Sequence, residues 1–357
     1  MSTKSKSVLV GMSGGIDSSA VCNMLLREGY RVVGLTLVTC DASLQAAEAA
    51  AVLAAKLNIE HYIADVRDEF RAVVVQPFID SYLAGYTPNP CVNCNPTVKF
   101  RLLCEWADRL GCEKIATGHY VKIKTDKGRH YIVTGSDSRK DQSYFLWKLT
   151  QQQLERCLFP LGEWEKDDVR AYLEQSGHHT IAKSGESMEV CFISGDYRDF
   201  LRENIPNVDN VIREGHFVDT EGRIIGTHRG APYYTIGQRK GLGIALGRPA
   251  YVIRINAAKN TVMLGDEQQL KTEYMLVEKP QWVGDVPAEG LSVRVRYRST
   301  PIECDTPVEV SDGLWLVHLK AEASAITPGQ SAVFYVGNTL VGGAFIASQR
   351  GISQWIK

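Results

Sequence analysis

The order of apolar segments in the first half of the chain limits its fold more than any other feature. Between Val8 and about Phe192, short apolar runs such as SVLVGM and YRVVGLTLV alternate with helical patterns such as AVCNMLLREG and LQAAEAAAVLAAKL. Strand-length runs that alternate with helix-length segments are typical of a parallel sheet covered by helices. The pattern therefore predicts an α/β domain built on a parallel sheet.

Beyond about Leu201 the sequence pattern changes: apolar and polar residues alternate, as in β-strands, and glycine turns separate the segments. GHFVDTEGRIIG, VRVRYRS and SAVFYVGNTLVGGAFI are examples. Such segments indicate a small β module followed by a terminal barrel, with a seam between Asp266 and Pro280. We predict three domains, covering residues 1–203, 204–270 and 271–357.

Composition excludes several classes of protein. The chain has 357 residues, of which 44% are hydrophobic and 23% charged, as in ordinary globular proteins. No apolar run approaches the roughly 18 residues of a membrane span, and the polar start MSTKSKS has no apolar core of a signal peptide. We therefore expect a cytoplasmic protein. The nine cysteines, an odd number, favour reduced thiols over a disulfide framework.

Net charge does not decide whether the chain binds nucleic acid. The formal charge is −1 at pH 7, and a near-neutral total can hide a local basic face. No feature of the sequence indicates an oligomeric state.

The segment GMSGGIDSS, Gly11 to Ser19, follows the first strand and precedes a helix. Adjacent glycines let the backbone approach an anion, the helix N-terminus directs amides at it, and the serines add hydroxyl donors. The segment lacks the lysine of a Walker loop and the spacing of a dinucleotide fingerprint. We expect a phosphate cradle in which Asp17 holds magnesium or caps the helix. The alternative is a tight turn with a serine cap.

A second motif, TPNPCVNCN, spans Thr87 to Asn95 and carries two cysteines three positions apart. A structural zinc site would need a second pair, and no other C-x-x-C or H-x-x-x-H occurs. A segment rich in Asn and Pro does not suit a thioredoxin-type couple. A catalytic thiol is the reading that we favour, and a buried loop cysteine is the alternative.

A helix is predicted from Thr97 to Leu110, with Gly111 as its C-terminal cap. Its apolar face would carry Phe100, Leu103, Cys104, Ala107 and Leu110. The positive end of this helix would point at Cys94 and lower the pKa of the thiol. Lys99 would either face the nucleotide or lie on the helix surface, and we favour the surface position.

The loop Gly11 to Ser19 resembles the SGGxDS motif of the PP-loop ATP pyrophosphatases. Further segments are similar to those of the tRNA-specific 2-thiouridylases (the MnmA family), over nearly the whole chain. They are TPNPxxxCNxxxKF at 87–100, ATGHY at 116–120, KDQSYFL at 140–146, SMEVCFI at 187–193, YTIGQRKGLG at 234–243, VRYR at 295–298 and PGQSAVFY at 328–335. The resemblance implies a Rossmann-like sheet domain (adenine nucleotide alpha hydrolase-like), a β-rich central domain and a C-terminal β-barrel.

The resemblance also implies a reaction. ATP, with Mg2+, would adenylate the 2-oxygen of the wobble uridine in tRNA, and a cysteine persulfide would then supply sulfur. Cys191 would carry the persulfide, received from a sulfur-donor protein, and Cys94 would be the partner nucleophile. A structural thiol in an apolar, strand-like EVCFI segment is the alternative for Cys191.

Site residues follow from the same motifs, position by position. Implied nucleotide contacts are Gly11, Met12, Ser13, Gly14, Gly15, Ile16, Asp17, Ser18, Leu37 and Gly118. Implied contacts to the base or the tRNA are Asn89, Pro90, Cys91, His119, Lys140, Asp141, Gln142, Arg296, Tyr297 and Gln330. The alternatives are a satisfied core or surface histidine for His119 and a solvated strand face carrying Arg294, Arg296 and Arg298.

The sequence departs from the family pattern at two places. Cys91 stands where the family has an aspartate regarded as a base contact and general acid or base, so the role is dispensable, or Cys91 or a water performs it. Cys91 could also form a disulfide with Cys94, as a relay or a redox lock. The segment after the second strand, LTLVTCDASLQAAEAAA, is shorter than usual, and Leu37 is our choice for its apolar contact to adenine.

Two alternatives to a thiouridylase stay open at the level of sequence. One is a related PP-loop enzyme, such as a lysidine synthetase or an amidotransferase-type ligase, which needs no paired cysteines. The other is a tRNA-binding protein whose catalytic site has decayed.

Overall fold

The structure is a computed structural model that describes residues 6–183, 190–245, 247–297 and 299–356. Arg298 and the first part of the motif at 187–193 therefore lie outside the described residues. The chain divides into two compact units. The first comprises Met1–Val74, Cys91–Phe192 and Asn338–Leu340, and the second Val75–Pro90, Ile193–Gly337 and Val341–Lys357.

A parallel five-stranded sheet is the framework of the first unit, as the sequence predicts. Its strand order is β3-β2-β1-β4-β7, and an antiparallel hairpin of β5 and β6 follows β4 in the chain. The central strand, β1, is an apolar run whose side chains are buried on both faces. These strands are β1 Ser7–Gly11, β2 Arg31–Val38, β3 Glu60–Asp65, β4 Lys114–Ala116, β5 Val121–Asp126, β6 Arg129–Thr134 and β7 Cys157–Leu158.

Helices connect the parallel strands and bury their apolar faces. Val8 and Val10 of β1 pack in one core with Val21 and Leu25 of the first helix. The α-helices of the chain are α1 Ile16–Arg27, α2 Ala42–Leu57, α3 Arg67–Phe70, α4 Gln76–Leu83, α5 Pro90–Cys94, α6 Phe100–Arg109, α7 Gln151–Arg156, α8 Lys166–Gln175, α9 His179–Ala182, α10 Tyr197–Asn204 and α11 Val208–Val211. Short 3-10 turns occupy Ser143–Phe145, Ala231–Tyr233, Glu267–Leu270 and Ile352–Gln354.

The helix predicted from Thr97 begins earlier than expected. Helical backbone runs from α5 through a π-helical turn, Asn95–Lys99, into α6. A second π-helical turn, Arg71–Val75, joins α3 to α4. Gly111 follows the end of α6 with a φ of 66°, the left-handed conformation expected of the cap.

The second unit contains β structure, as predicted. One four-stranded sheet has the order β10-β11-β8-β9, a three-stranded sheet has the order β12-β17-β16, and β15-β14-β18-β19 forms a further run. The strands are β8 Gly215–Val218, β9 Ile224–His228, β10 Tyr251–Asn256, β11 Thr261–Gly265, β12 Lys271–Glu278, β13 Gln281–Trp282, β14 Leu291–Arg294, β15 Ile302–Glu303, β16 Val308–Ser311, β17 Leu314–Ser324, β18 Ser331–Val336 and β19 Thr339–Phe345. Val293, Val317 and Phe334, all fully buried, belong to the core between the C-terminal strands.

Within the described ranges, no helix is both long and apolar enough to cross a membrane.

Candidate active site

The loop between β1 and α1 has the shape of an anion site. Gly14 adopts a φ of 70°, and a Cβ atom there would lie 2.5 Å from the carbonyl oxygen of Ala46 on α2. Only glycine fits such a position. Gly15 is the N-cap of α1 and provides no side chain to cap the helix, so the first amides of this 12-residue helix remain available to a ligand.

The serines of this loop have different roles. Ser18 accepts a hydrogen bond from the Ser13 amide at 3.1 Å, and its hydroxyl donates to the Gly15 carbonyl at 3.2 Å. Ser19 donates to the same carbonyl at 2.7 Å. Both Ser18 and Ser19 are buried, whereas Ser13 is exposed. We expected all these hydroxyls to serve the ligand, but Ser18 and Ser19 fix the loop and Ser13 is the one that faces solvent.

Asp17, in the first turn of α1, pairs with a buried lysine. Lys166 Nζ lies 2.6 Å from Asp17 Oδ1, and the hydroxyl of Tyr120 donates to the same oxygen at 2.7 Å. The Lys166 side chain is 6% exposed and that of Asp17 34%. A carboxylate beside phosphates was expected to need magnesium or a capping role. The structure gives it an ammonium partner, which the sequence did not indicate because Lys166 is far away in the chain.

Gly118 follows β4 and packs against the phosphate loop. A Cβ atom at this position would lie 2.7 Å from Asp17 Cβ and 3.1 Å from the Ser18 amide nitrogen. Leu37 is half-buried near the end of β2, the strand beside β1. The loop, Gly118 and Leu37 thus meet at the carboxyl edge of the sheet, where open α/β folds bind ligands.

Three thiols belong to one cluster in the first unit. Cys91 and Cys94 lie on α5, and Cys191 occupies a turn and is exposed. Cys91 and Cys94 are close enough to Cys191 that a negative charge on either thiol would raise the pKa of Cys191. Cys40, in the loop after β2, donates its thiol hydrogen to the Cys191 carbonyl oxygen at 3.8 Å. All nine cysteines are free. The expectation that Cys191 lies in a strand is wrong.

The predicted lowering of the Cys94 pKa is also wrong. Because helical backbone continues from α5 into α6, Cys94 lies within the helical segment rather than before its positive end. Burial raises the pKa of Cys94 to about 11. Although Cys191 as a residue is exposed, protein atoms packed near its sulfur raise the pKa to about 12, and the neighbouring thiols raise it further.

Lys99 opposes these shifts. Its positive charge lowers the pKa values of Cys91, Cys94 and Cys191, although desolvation outweighs it in each case. Lys99 ends the π-helical turn and is half-buried. The sequence placed it on the helix surface because the π-helical turn, which shifts every following side chain, has no local sequence signature.

His119 is held as a neutral imidazole. Burial lowers its pKa well below 6.5, and the charge of Lys99 lowers it further. Its Nδ1 lies 2.7 Å from the Thr117 hydroxyl, and its ring is 5.7 Å from that of Phe100. Because it is not a cation, His119 can contact RNA only as a neutral donor or acceptor.

Other predicted contacts have partners within the protein. Asp141 is buried, and its carboxylate accepts hydrogen bonds from the Gly135 and Ser143 amides and from the Ser143 hydroxyl. Gln142 accepts a hydrogen bond from the Tyr120 amide. Asp141 therefore shapes its loop rather than presenting a free carboxylate.

In the second unit, Gln330 supports the segment that precedes α5. Its side-chain amide donates to the Thr87 carbonyl at 2.8 Å, and the Thr87 amide donates to the Pro328 carbonyl at 2.9 Å. Asn89 is half-buried and Pro90 buried. Gln330 thus positions the residues implied to touch the target base.

Arg296 lies beyond the end of β14, in a turn closed by Ser299, and is exposed. Tyr297 beside it is half-buried. In the first unit, the predicted tRNA contact Lys140 is also half-buried. Arg294 ends the strand and lies over the Tyr335 ring at 4.9 Å. Because β14 ends at Arg294, Arg296 does not belong to a strand face on which arginines alternate.

No group of three or more His, Cys, Asp and Glu side chains among the described residues has an arrangement suited to a metal ion.

A phosphate loop at the carboxyl edge of a parallel sheet, with a thiol cluster in the same unit, defines a nucleotide-binding α/β enzyme with cysteine chemistry. Three family models match the chain in sequence order: a tRNA methyl transferase HUP domain at residues 6–195, a tRNA methyl transferase PRC-barrel domain at 198–266, and an aminomethyltransferase beta-barrel domain at 272–346.

Named relatives are similar over almost the whole chain. The tRNA-specific 2-thiouridylase MnmA 3 of Phocaeicola vulgatus is 56% identical, with 99% of this chain and 97% of the relative covered. The protein of the same name from Bacteroides fragilis is 57% identical with the same coverage. The tRNA-specific 2-thiouridylase MnmA of Heliobacterium modesticaldum is 43% identical, with coverages of 96% and 92%. The chain belongs to the tRNA-specific 2-thiouridylase (MnmA) family.

Proposed function

We propose that this protein is a tRNA-uridine 2-sulfurtransferase, which uses ATP to replace the 2-oxygen of the wobble uridine with sulfur. The observation that carries the proposal is the pairing of a phosphate loop with a cluster of free thiols in one compact unit. This pairing occurs in a chain 56% identical to a protein named tRNA-specific 2-thiouridylase MnmA 3.

ATP activates the oxygen, because oxide is a poor leaving group and AMP a good one. Residues 11–18, Leu37 and Gly118 would bind the nucleotide, with the α1 amides and the Ser13 hydroxyl directed at its phosphates. Because Lys166 and Tyr120 occupy Asp17 Oδ1, we propose that magnesium arrives with the phosphates of ATP rather than on a protein site of its own.

Sulfur transfer uses the two thiols that the family motifs single out. A sulfur-donor protein would load a persulfide on Cys191, whose exposed turn suits such delivery. The Cys94 thiolate attacks the inner sulfur of that persulfide, so that a Cys94–Cys191 disulfide forms and hydrosulfide leaves. Hydrosulfide then attacks carbon 2 of the activated base and AMP departs.

The remaining contacts are part of the same proposal. Asn89, Pro90 and Cys91 would approach the base, and His119, Lys140, Asp141, Gln142, Arg296, Tyr297 and Gln330 would contact or shape the surface for tRNA. Asp141 and Gln330 would act through the backbone that they hold. We also propose the three domains 1–203, 204–270 and 271–357 and a cytoplasmic location.

Incubation of the protein with ATP, a persulfide donor and unmodified tRNA tests this function. We expect AMP release and sulfur incorporation in equal amounts, and loss of sulfur incorporation in Cys94→Ser and in Cys191→Ser. Cys104→Ser, a half-buried thiol on α6, is the matched control and should remain active. Activity in both serine variants would point to an enzyme whose adenylate is attacked by an amine. A protein that binds tRNA but releases no AMP would contradict the proposal outright.

A further inference from the structure

The active-site cluster contains a thiol that the sulfur-transfer steps above do not use. Cys91 is half-buried in the first turn of α5, three positions before Cys94. Both of these thiols interact electrostatically with Cys191. The two-thiol scheme ends in a Cys94–Cys191 disulfide, which blocks Cys191 until something opens it.

The geometry favours attack by Cys91 on the Cys94 sulfur. Residues three apart in an α-helix have Cα atoms about 5 Å apart, within the roughly 4.4–6.8 Å that a disulfide spans. Cys91 follows Pro90 at the start of the helix, where the backbone has fewer helical hydrogen bonds to break than in a helix interior. Burial raises the pKa of the Cys91 thiol, and the nearby charge of Lys99 opposes that shift.

We propose that Cys91 is the resolving thiol of the catalytic cycle: it opens the Cys94–Cys191 disulfide at Cys94 and returns Cys191 to the thiol form. This role rests on the proposed function. One S–S bond breaks, the Cys91–Cys94 bond forms, and the proton of Cys91 passes to Cys191, so the step needs no oxidant or reductant. An external dithiol then supplies two electrons to reopen Cys91–Cys94, while Cys191 can already receive the next persulfide.

Cys40 is the competing thiol. It contacts the backbone of Cys191, and attack from there would join Cys40 to Cys191 and leave the persulfide carrier blocked. Of these two attacks, only the attack by Cys91 on the Cys94 sulfur frees Cys191. The position of the disulfide after one turnover therefore distinguishes the two.

The experiment maps that disulfide. Full-length protein is loaded with persulfide, mixed with ATP and unmodified tRNA without reductant, quenched with iodoacetamide and analysed by peptide mass spectrometry. We expect Cys91–Cys94 in the unaltered protein and in Cys40→Ser. In Cys91→Ser and Cys91→Asp we expect Cys94–Cys191 to accumulate. With persulfide donor in excess and dithiol limiting, these Cys91 variants should complete at least tenfold fewer turnovers than Cys40→Ser, because dithiol in excess would open Cys94–Cys191 directly.

Each other result has a separate meaning. If sulfur enters tRNA and the unaltered protein retains Cys94–Cys191 or forms Cys40–Cys191, the resolving role is wrong while the proposed function stands. Full turnover by Cys91→Ser would likewise show that the resolving role is wrong, and the proposed function would still stand. If no sulfur enters tRNA, the proposed function fails and this role fails with it.

Discussion

Burial and the charge of Lys99 have opposite effects on the pKa of Cys94. The ammonium of Lys99 lowers the pKa of Cys94, yet burial prevails and the value stays at about 11. At neutral pH the resting thiol is therefore almost entirely protonated. Because only the thiolate is a nucleophile, reactivity must increase as pH rises towards that value.

We expect alkylation of Cys94 by iodoacetamide to accelerate about tenfold per pH unit between pH 7 and 9, since the thiolate fraction grows by that factor below the pKa. Lys99→Met should slow alkylation at every pH in this range, because loss of the positive charge raises the pKa further. Lys124→Met, an exposed lysine on β5, is the control. Rates would be read from the Cys94 peptide by mass spectrometry, and a plateau by pH 8 would contradict the raised pKa.

Gly14 tests whether the loop before α1 binds the phosphates of ATP. Gly14→Ala combines a left-handed φ with a clash against the Ala46 carbonyl, whereas Gly29→Ala has a similar φ of 81° and no atom within 4 Å. The left-handed backbone costs each variant roughly 1–2 kcal/mol of stability. Only Gly14→Ala should also weaken ATP binding, by tenfold or more. Calorimetric titration with ATP and thermal unfolding separate the effects, and equal ATP affinities would refute the cradle.

At the scale of elements, Lys166 and Asp17 connect the starts of α8 and α1. The ammonium is nearly buried and the carboxylate is about one third exposed. Replacing either charge leaves the other with reduced compensation in a partly desolvated place. This pair therefore stabilises the first turn of α1, the helix that follows the phosphate loop.

We expect Lys166→Met to lower the free energy of unfolding by about 2 kcal/mol, less than the roughly 3–5 kcal/mol for breaking a fully buried pair, because solvent reaches Asp17. In a double-mutant cycle with Asp17→Asn, the second substitution should cost less once the first is made. Denaturant unfolding of the four proteins measures this coupling, and strictly additive losses would show that the pair contributes nothing.

Sequence reasoning succeeded at the elements whose signals are local. Three such signals are the apolar run of β1, the glycines after it and the Gly111 cap. Each predicts the conformation of its own stretch of backbone, and the fold confirms each prediction. Sequence reasoning failed at the start of the helix that was predicted to begin at Thr97. The π-helical turn includes Pro96, and the Phe100 amide reaches back to the Asn95 carbonyl, so helical backbone passes through. The pairing of Asp17 with Lys166 also had no signal, because it depends on tertiary packing alone.

For the whole molecule, a net charge of −1 means that tRNA binding depends on local patches rather than on the overall field. Arg296 is an exposed cation in the second unit and belongs to the VRYR segment that resembles the family's. An arginine that contacts a phosphate contributes to affinity by releasing counterions.

We expect Arg296→Ala to weaken tRNA binding several-fold and to reduce the slope of log affinity against log salt by about 1. Arg223, also exposed but paired with Asp219 at 2.6 Å, provides the control, and Arg223→Ala should leave the slope unchanged. Filter binding between low and moderate salt measures both slopes. An unaltered slope in Arg296→Ala would remove this residue from the interface.

The hydrogen bonds that join Thr87 to Pro328 and Gln330 have a consequence for biosynthesis. A ribosome makes the residues at 87–90 long before it makes those at 328–330. The segment at 87–90 must therefore wait, without these partners, until residues 328–330 have emerged. A chain that ended before Pro328 would lack both of these hydrogen bonds to Thr87.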